Sequence, residues 1–259
     1  MLENIFKPGR CAFIPYVMAG DPDLRTTARI LDAVRDAGAD ALELGIPYGD
    51  PLADGPTIAA AGVRALANHV GLPQVLELVR DAVARNVPPI VLFTYFNPVY
   101  QYGIEQFAND AARAGAAGVI VPDVALEEGQ ELRDALAAQN LRMPLLVAPS
   151  TPRERAARIA QASSGFVYVV SRLGVTGAGS APDFTPLRAQ VQALREVTDM
   201  PLAVGFGISR PDQVREVREA VDGVIVGSAL IDAYAGHSGE EAAERAREFC
   251  KSLRAATID

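Results

Sequence analysis

The sequence predicts a single-domain α/β fold, a (β/α)8 TIM barrel with extra short helices, over residues 1–259. Three observations predict it. Short apolar runs rich in Val, Ile, Leu and Phe recur along the chain, and they have the composition of strands buried on both faces. Amphipathic stretches at helical spacing separate these runs, and that alternation predicts a parallel sheet. Eight such units in 259 residues fit a closed barrel better than an open sheet.

The predicted strands are short, and most are bounded by Gly, Pro or Asp. They are residues 12–18, 40–45, 90–95, 118–123, 145–150, 166–171, 202–207 and 223–228. The predicted helices have apolar residues on one face, and the first ends at Gly38, a residue that suits a helix C-terminus. They cover residues 24–38, 72–86, 103–115, 126–139, 151–162, 186–198, 209–220 and about 239–254.

Composition excludes several classes of function. The net charge is −8, so the chain lacks the basic face of a nucleic-acid-binding protein. No apolar run is long enough to span a bilayer, and residues 1–10 lack the apolar stretch of a signal peptide. Cys11 and Cys250 are expected to be reduced thiols, and His69 and His237 are too far apart in sequence for a zinc site. The sequence therefore predicts a cytoplasmic protein without metal.

The active site of such a barrel lies at the carboxyl ends of its strands. Two long irregular loops follow predicted strands there, residues 45–58 after the second strand and residues 171–184 after the sixth. Long loops inside a compact domain usually have a function. We expect these two loops to close together over a substrate.

Glycines follow the seventh and eighth predicted strands, where these barrels often hold a phosphate with backbone N–H groups. Gly205, Gly207, Gly227 and Ser228 fit that position, and Gly177 could add an amide from the loop after the sixth strand. Glycine lets the backbone approach a ligand closely. The alternative is that these glycines only form tight turns.

Two carboxylates near the second strand are the strongest candidates for catalytic residues. Glu43 lies inside a strand run, where a charge is costly unless it is used in function or paired with an arginine. Asp54 follows in the loop, where it acts in catalysis or caps the helix that begins near Thr57. For Asp50 in the same loop we favour a structural role in a turn.

The small number of lysines restricts the reaction mechanisms that this protein could use. Lys7 and Lys251 are the only lysines, and both lie near the chain ends, away from any predicted strand terminus. A Schiff-base aldolase needs a buried lysine, and a metal-dependent aldolase usually needs clustered histidines. If the protein cleaves or forms a carbon–carbon bond, it would therefore do so by general acid–base catalysis. The substrate itself would have to accept the electron pair of that bond.

Long motifs along almost the whole chain resemble those of the tryptophan synthase α-subunit family. They are AFIPYVMAGDPD (12–23), ELGIPYGDPLADGP (43–56), FTYFNPVYQYGIEQF (93–107), GVIVPDVALEE (118–128), YVVSRLGVTGAG (168–179), GFGIS (205–209) and GSALI (227–231). The resemblance implies retro-aldol cleavage of indole-3-glycerol phosphate to indole and glyceraldehyde 3-phosphate. It implies that Glu43 is the main acid–base group, that Asp54 holds the indole N–H, and that Tyr168 is an active-site tyrosine.

The resemblance also implies which residues bind the substrate. The indole-pocket positions are Tyr16, Phe93, Ile120 and Thr176, and the phosphate positions are Gly177, Gly207, Gly227 and Ser228. Tyr16 and Phe93 differ from the commonest residues of the family but remain bulky. Thr176 is expected to approach Asp54 when the two long loops close.

The implied partner is a β subunit that carries pyridoxal phosphate in an α2β2 complex and receives the indole, so no cofactor is expected in this chain. Three other functions remain open at this point. One is another phosphate-binding barrel, such as an indole-glycerol phosphate synthase or a sugar isomerase, although the synthase is disfavoured by the missing lysine. The second is a free-standing indole-3-glycerol phosphate lyase, and the third is a non-catalytic activating subunit.

Overall fold

Eight parallel strands form the centre of the molecule. The computed structural model describes residues 2–171, 184–205 and 207–258. In the described residues the strands are β1 (Ala12–Met18), β2 (Leu42–Gly45), β3 (Ile90–Phe93), β4 (Gly118–Ile120), β5 (Leu145–Val147), β6 (Val167–Val170), β7 (Leu202–Gly205) and β8 (Gly223–Val226). Each lies within a run predicted from the sequence, and nearly every strand residue is buried.

The strand order is β4-β3-β2-β1-β8-β7-β6-β5, so β1 pairs with both β2 and β8. The two outer strands of this order meet at Arg142, just ahead of β5. The Val119 N–H donates to the Arg142 carbonyl at 2.7 Å, and the Arg142 N–H donates to the Ala117 carbonyl at 3.1 Å. These bonds join β4 to the β5 segment and bring the sheet into a barrel, which confirms the predicted fold.

Helices surround the barrel. In the described residues they are α1 (Leu24–Asp36), α2 (Pro56–Ala67), α3 (Leu72–Ala84), α4 (Phe96–Tyr102), α5 (Ile104–Ala114), α6 (Gln130–Ala138), α7 (Arg153–Ala162), α8 (Thr185–Arg195), α9 (Pro211–Val217), α10 (Ser228–Tyr234) and α11 (Gly239–Ala256). A 3-10 helix, Leu2–Ile5, precedes β1. The short helices α4 and α10 and the helix α2 are additions to the one-helix-per-strand pattern; the sequence predicts extra short helices but does not indicate α4.

The ends of α1 illustrate how local sequence sets the helix bounds. The Asp23 side chain accepts the N–H of Thr26 at 2.8 Å and satisfies a donor that the first turn leaves free. Beyond the last turn, Gly38 has a φ of +86°, which favours glycine, and its N–H donates to the Arg35 carbonyl at 2.9 Å. The chain therefore turns towards β2 at the glycine that the sequence indicated.

The two cysteines are buried and free; Cys11 directly precedes β1 and Cys250 lies in α11. Burial raises the pKa of both the Cys11 and the Cys250 thiol to about 12, so neither is an anion at neutral pH. Among the helices in the described part of the chain, none combines the length and apolar character needed to cross a membrane.

Candidate active site

Glu43 lies on β2 with its carboxyl inside the barrel and 1% of the residue exposed. The charge of Glu43 helps to raise the pKa of Tyr16 on β1 and of Tyr168 on β6. Because β1 and β6 are far apart in the strand order, one side chain can lie near both tyrosines only inside the barrel. Within the described residues Glu43 Oε1 has no hydrogen-bond partner. Burial raises the pKa of Glu43 to about 8, and no cation among the described residues lowers it. The alternative of a structural arginine pair is therefore wrong for the described part of the chain.

Asp54 lies in the loop between β2 and α2 and is half-buried. The helix α2 begins at Pro56 after Gly55 and has no side-chain cap, so Asp54 does not cap it. Its carboxyl instead accepts a hydrogen bond from the Tyr95 hydroxyl. Burial raises the pKa of Asp54 to about 6, and the bond from Tyr95 limits that rise. The two carboxylic acids of the site thus have different proton affinities.

An aromatic wall stands beside Glu43. The rings of Tyr16 and Phe93 meet edge to face, with centroids 5.8 Å apart and an interplanar angle of 87°. Ile120 is the neighbour of Phe93 across β3 and β4 and is fully buried. A Cβ atom on Gly45 would lie 2.1 Å from the Tyr16 hydroxyl oxygen, so only glycine lets this ring lie across β2. The structure therefore brings Tyr16, Phe93 and Ile120 together on neighbouring strands.

Tyr168 occupies an analogous position on β6. It is buried, and a Cβ atom on Gly205 of β7 would lie 2.2 Å from its hydroxyl oxygen. The space above Gly205 is thus filled by the Tyr168 ring. Gly205 is one of the phosphate candidates, and its lack of a side chain also admits a tyrosine to the barrel interior.

Three other phosphate candidates, Gly207, Gly227 and Ser228, follow the carboxyl ends of two paired strands, β7 and β8. Gly207 has a φ of +100°, a conformation that strains other residues. Gly227 directly precedes α10, and Ser228 is the first residue of that helix. A Cβ atom on Gly227 would lie 3.4 Å from Tyr16 Cβ, so this position adjoins the aromatic wall.

Two predicted site residues, Thr176 and Gly177, lie outside the described residues. Asp50 is exposed in the loop after β2, as a structural position in a turn can be. Among the described residues there is no group of three or more His, Cys, Asp and Glu side chains that could hold a metal ion.

Comparison with known proteins identifies the family. The family model described as "Tryptophan synthase alpha chain" matches residues 2–258. The chain belongs to the tryptophan synthase alpha chain family. The tryptophan synthase alpha chain of Picosynechococcus sp. is 48% identical over 255 residues, which cover 98% of this chain and 96% of the relative.

Solved structures agree with this assignment. A structure of Mycobacterium tuberculosis tryptophan synthase superposes with a TM-score of 0.91 at 37% identity, covering 100% of this chain and 98% of that one. A chain of the tryptophan synthase complex from Pyrococcus furiosus gives a TM-score of 0.84 at 33% identity, covering 94% and 98%.

Tryptophan synthase alpha chains are carbon–carbon lyases that cleave indole-3-glycerol phosphate, and they form a complex with a β subunit. The chain has this α-subunit function, and the alternative of a free-standing lyase is not favoured. A synthase or isomerase is disfavoured by the same family membership.

Tyr95 is a site residue that sequence reasoning missed. It follows the end of β3, is buried, and packs its ring 5.3 Å from that of Tyr48. A tyrosine after a strand is common in any buried sheet, so the residue type alone gave no signal. The usable signal was its place at the carboxyl end of the strand beside Glu43, where side chains face the site.

Proposed function

We propose that Glu43 and Asp54 divide the acid–base work of the retro-aldol cleavage of indole-3-glycerol phosphate. The observation that carries this proposal is that a buried carboxyl with a pKa of about 8 and a tyrosine-bound carboxyl with a pKa of about 6 act on the same two tyrosines. At neutral pH Glu43 is mainly protonated and Asp54 mainly ionised. The pair thus offers one acid and one anion, as acid–base sites with separated pKa values do.

The first step uses the proton of Glu43. Glu43 donates this proton to C3 of the indole ring, and the ring electrons that form the new C–H bond leave a positive charge on N1. Asp54, as the anion, accepts a hydrogen bond from N1–H and stabilises that charge. A positioned proton donor of this kind is typically worth about 10²–10⁴-fold in rate.

The second step returns the proton. The Glu43 carboxylate takes the proton of the hydroxyl on the side-chain carbon bonded to C3. That carbon becomes the aldehyde carbon of glyceraldehyde 3-phosphate, and the electron pair of the broken C–C bond restores the indole ring. Glu43 ends protonated and Asp54 ionised, so both groups are ready for the next turnover.

Binding residues orient the substrate for these steps. We assign the indole ring to the wall of Tyr16, Phe93 and Ile120, with Tyr168 beside Glu43. Phosphate is assigned to Gly207, Gly227 and Ser228. Thr176 and Gly177, outside the described residues, remain proposed contacts of the indole and the phosphate. A phosphate bound through backbone amides contributes remote binding energy that fixes the reacting carbon near the acid.

The quaternary context is also part of the proposal. The complex with the β subunit is an α2β2 heterotetramer in the cytoplasm, and the β subunit carries the pyridoxal phosphate. This chain then needs no cofactor of its own. The test is size-exclusion chromatography with a tryptophan synthase β subunit, together with the cleavage rate with and without it. A rate unchanged by the β subunit would contradict functional coupling in that complex.

The proposed chemistry is tested by Glu43→Gln, which keeps the side-chain shape and removes the transferable proton. We expect cleavage to fall by at least about 10²-fold, while the affinity for glycerol 3-phosphate, which carries the phosphate without the indole, stays within about threefold. Normal turnover by this variant would overturn the mechanism. Asp54→Asn is the matched second variant, because it leaves Glu43 intact and removes the anion.

A further inference from the structure

An ion pair outside the reacting groups joins the half-exposed Arg64 of α2 to the buried Asp21 in the loop after β1. Arg64 of α2 donates from Nε to Asp21 Oδ1 at 2.7 Å and from Nη2 to Oδ2 at 3.0 Å. Asp21 is 1% exposed and lies between β1 and α1. Two parallel N–H···O bonds fix the orientation of both groups as well as their separation. A shift of α2 relative to the loop after β1 would strain these two hydrogen bonds.

The helix α10 meets the same cluster. Tyr234, its last residue, is buried beside Asp21, and burial together with the Asp21 charge raises the pKa of its hydroxyl well above 10. Near the start of α2, Thr57 Oγ1 donates at 3.2 Å to Oδ1 of Asp232, which lies two residues before Tyr234 in α10. The helices α2 and α10 are thus connected near the start of α2, and again through Arg64, Asp21 and Tyr234.

These two helices begin at the two halves of the proposed site. Asp54 precedes the first residue of α2 by two positions, and Gly227 directly precedes α10. Ile58 in the first turn of α2 packs on the start of α10, since its Cδ1 would lie 3.5 Å from a Cβ atom on Gly227. A displacement of α10 at Gly227 would therefore be transmitted to α2 and to the loop that carries Asp54.

We propose that the Arg64–Asp21 pair is a positioning device that couples phosphate binding at Gly227 and Ser228 to the placement of Asp54 against the indole ring. This rests on the function proposed above. Arg64 and Asp21 touch no reacting atom and act through α2. Phosphate and indole binding are then cooperative, and by linkage each ligand tightens the other by the same factor.

Calorimetric titration of the full chain tests the coupling. The dissociation constant of indole is measured without and with saturating glycerol 3-phosphate. For the wild type we expect glycerol 3-phosphate to tighten indole binding by about fivefold or more. In Arg64→Met that factor falls below about twofold, while glycerol 3-phosphate alone binds within about threefold of wild type. Arg64→Lys, which keeps the charge but cannot form the two parallel bonds, falls between them.

Arg80→Met is the matched control, because it removes an exposed arginine from α3. We expect glycerol 3-phosphate to tighten indole binding in Arg80→Met by the same factor as in the wild type. The proposal is overturned if the wild type shows no coupling, if Arg64→Met retains it, or if Arg64→Met weakens glycerol 3-phosphate and indole equally, as a merely structural residue would. If Arg64→Met does not fold, Arg64→Lys is measured in its place, and an unchanged factor in Arg64→Lys then overturns the proposal.

Both ligands are bound without turnover, so the coupling factor does not depend on which carboxyl transfers the proton. A Glu43→Gln variant with normal turnover would contradict the proposed chemistry and leave the coupling factor untouched. Loss of the coupling in the wild type would contradict only the role of the Arg64–Asp21 pair.

Discussion

The hydroxyl of Tyr95 accepts the backbone N–H of Ala53 at 3.1 Å. The same hydroxyl donates to the carboxyl of Asp54, the next residue of the chain. Because Tyr95 is buried just after β3, its hydroxyl holds two neighbouring loop residues, Ala53 and Asp54, through one hydrogen bond each. The position and the proton affinity of Asp54 therefore both depend on Tyr95.

Replacing Tyr95 with phenylalanine removes both bonds and keeps the ring. Because the bond from Tyr95 lowers the pKa of Asp54, its loss raises that pKa above about 6. We expect the acidic limb of the kcat/KM profile to move to higher pH in Tyr95→Phe, with a larger loss of activity at pH 6 than at pH 8. Tyr100→Phe removes a hydroxyl from an exposed tyrosine of α4 and leaves the limb in place. An acidic limb unmoved by Tyr95→Phe would contradict this role.

Gly45 is predicted to be essential for the aromatic wall. A Cβ atom there would lie 2.1 Å from the Tyr16 hydroxyl oxygen and 2.7 Å from Cζ, so the ring has to move. Gly45→Ala should lower the free energy of unfolding by about 1–3 kcal/mol, as overpacking of a core does, and should reduce kcat/KM. In Gly49→Ala, the added Cβ would have no neighbour within 4 Å, so both quantities stay near wild type. Denaturant unfolding and steady-state kinetics measure them.

Ionisation of the buried Glu43 should lower the free energy of unfolding at alkaline pH. Its pKa is raised from 4.5 to about 8 in the folded chain, so the folded state holds the proton more tightly than the unfolded chain. The stabilising contribution is fully present below pH 4.5 and is lost as the pH rises through about 8. Glu43→Gln carries no such loss and should exceed the wild type in free energy of unfolding by on the order of a few kcal/mol above pH 8.

Urea unfolding of both proteins at several pH values checks this expectation. The difference between Glu43→Gln and the wild type should shrink as the pH falls towards 4.5. Glu77→Gln, on the exposed face of α3, is the matched control for the same substitution at the surface. A constant difference between Glu43→Gln and wild type at every pH would contradict the raised pKa.

Much of the fold followed from periodicity. The described strands are buried on both faces, so their apolar runs indicated each of them in the correct order. Some predicted bounds were too long, since Thr94 and Tyr95 were placed in the third strand but lie in the loop after β3. The helix α4 was not predicted, because its sequence, FNPVYQY, has no apolar repeat at helical spacing. That residues 1–259 form one domain stays a prediction.

The site was predictable where a residue type conflicted with its surroundings. Glu43 was such a case, since a carboxylate in an apolar strand has to be explained. Tyr95 and Arg64 were not predictable, because a tyrosine after a strand and an arginine on a helix are ordinary in sequence. Their roles depend on partners that only the folded chain brings near, Asp54 for Tyr95 and Asp21 for Arg64. The assignments of Thr176 and Gly177 stay predictions.

The central claim is that Glu43 enters the reaction protonated while Asp54 enters it ionised. The most direct test is kcat/KM for indole-3-glycerol phosphate between about pH 5 and 9.5, which reports the essential groups of the free protein. The expected profile is bell-shaped, with activity lost below about pH 6 as Asp54 takes up a proton and above about pH 8 as Glu43 loses one. A kcat/KM that keeps rising through pH 8 would mean that ionised Glu43 is the active form, and would contradict the account.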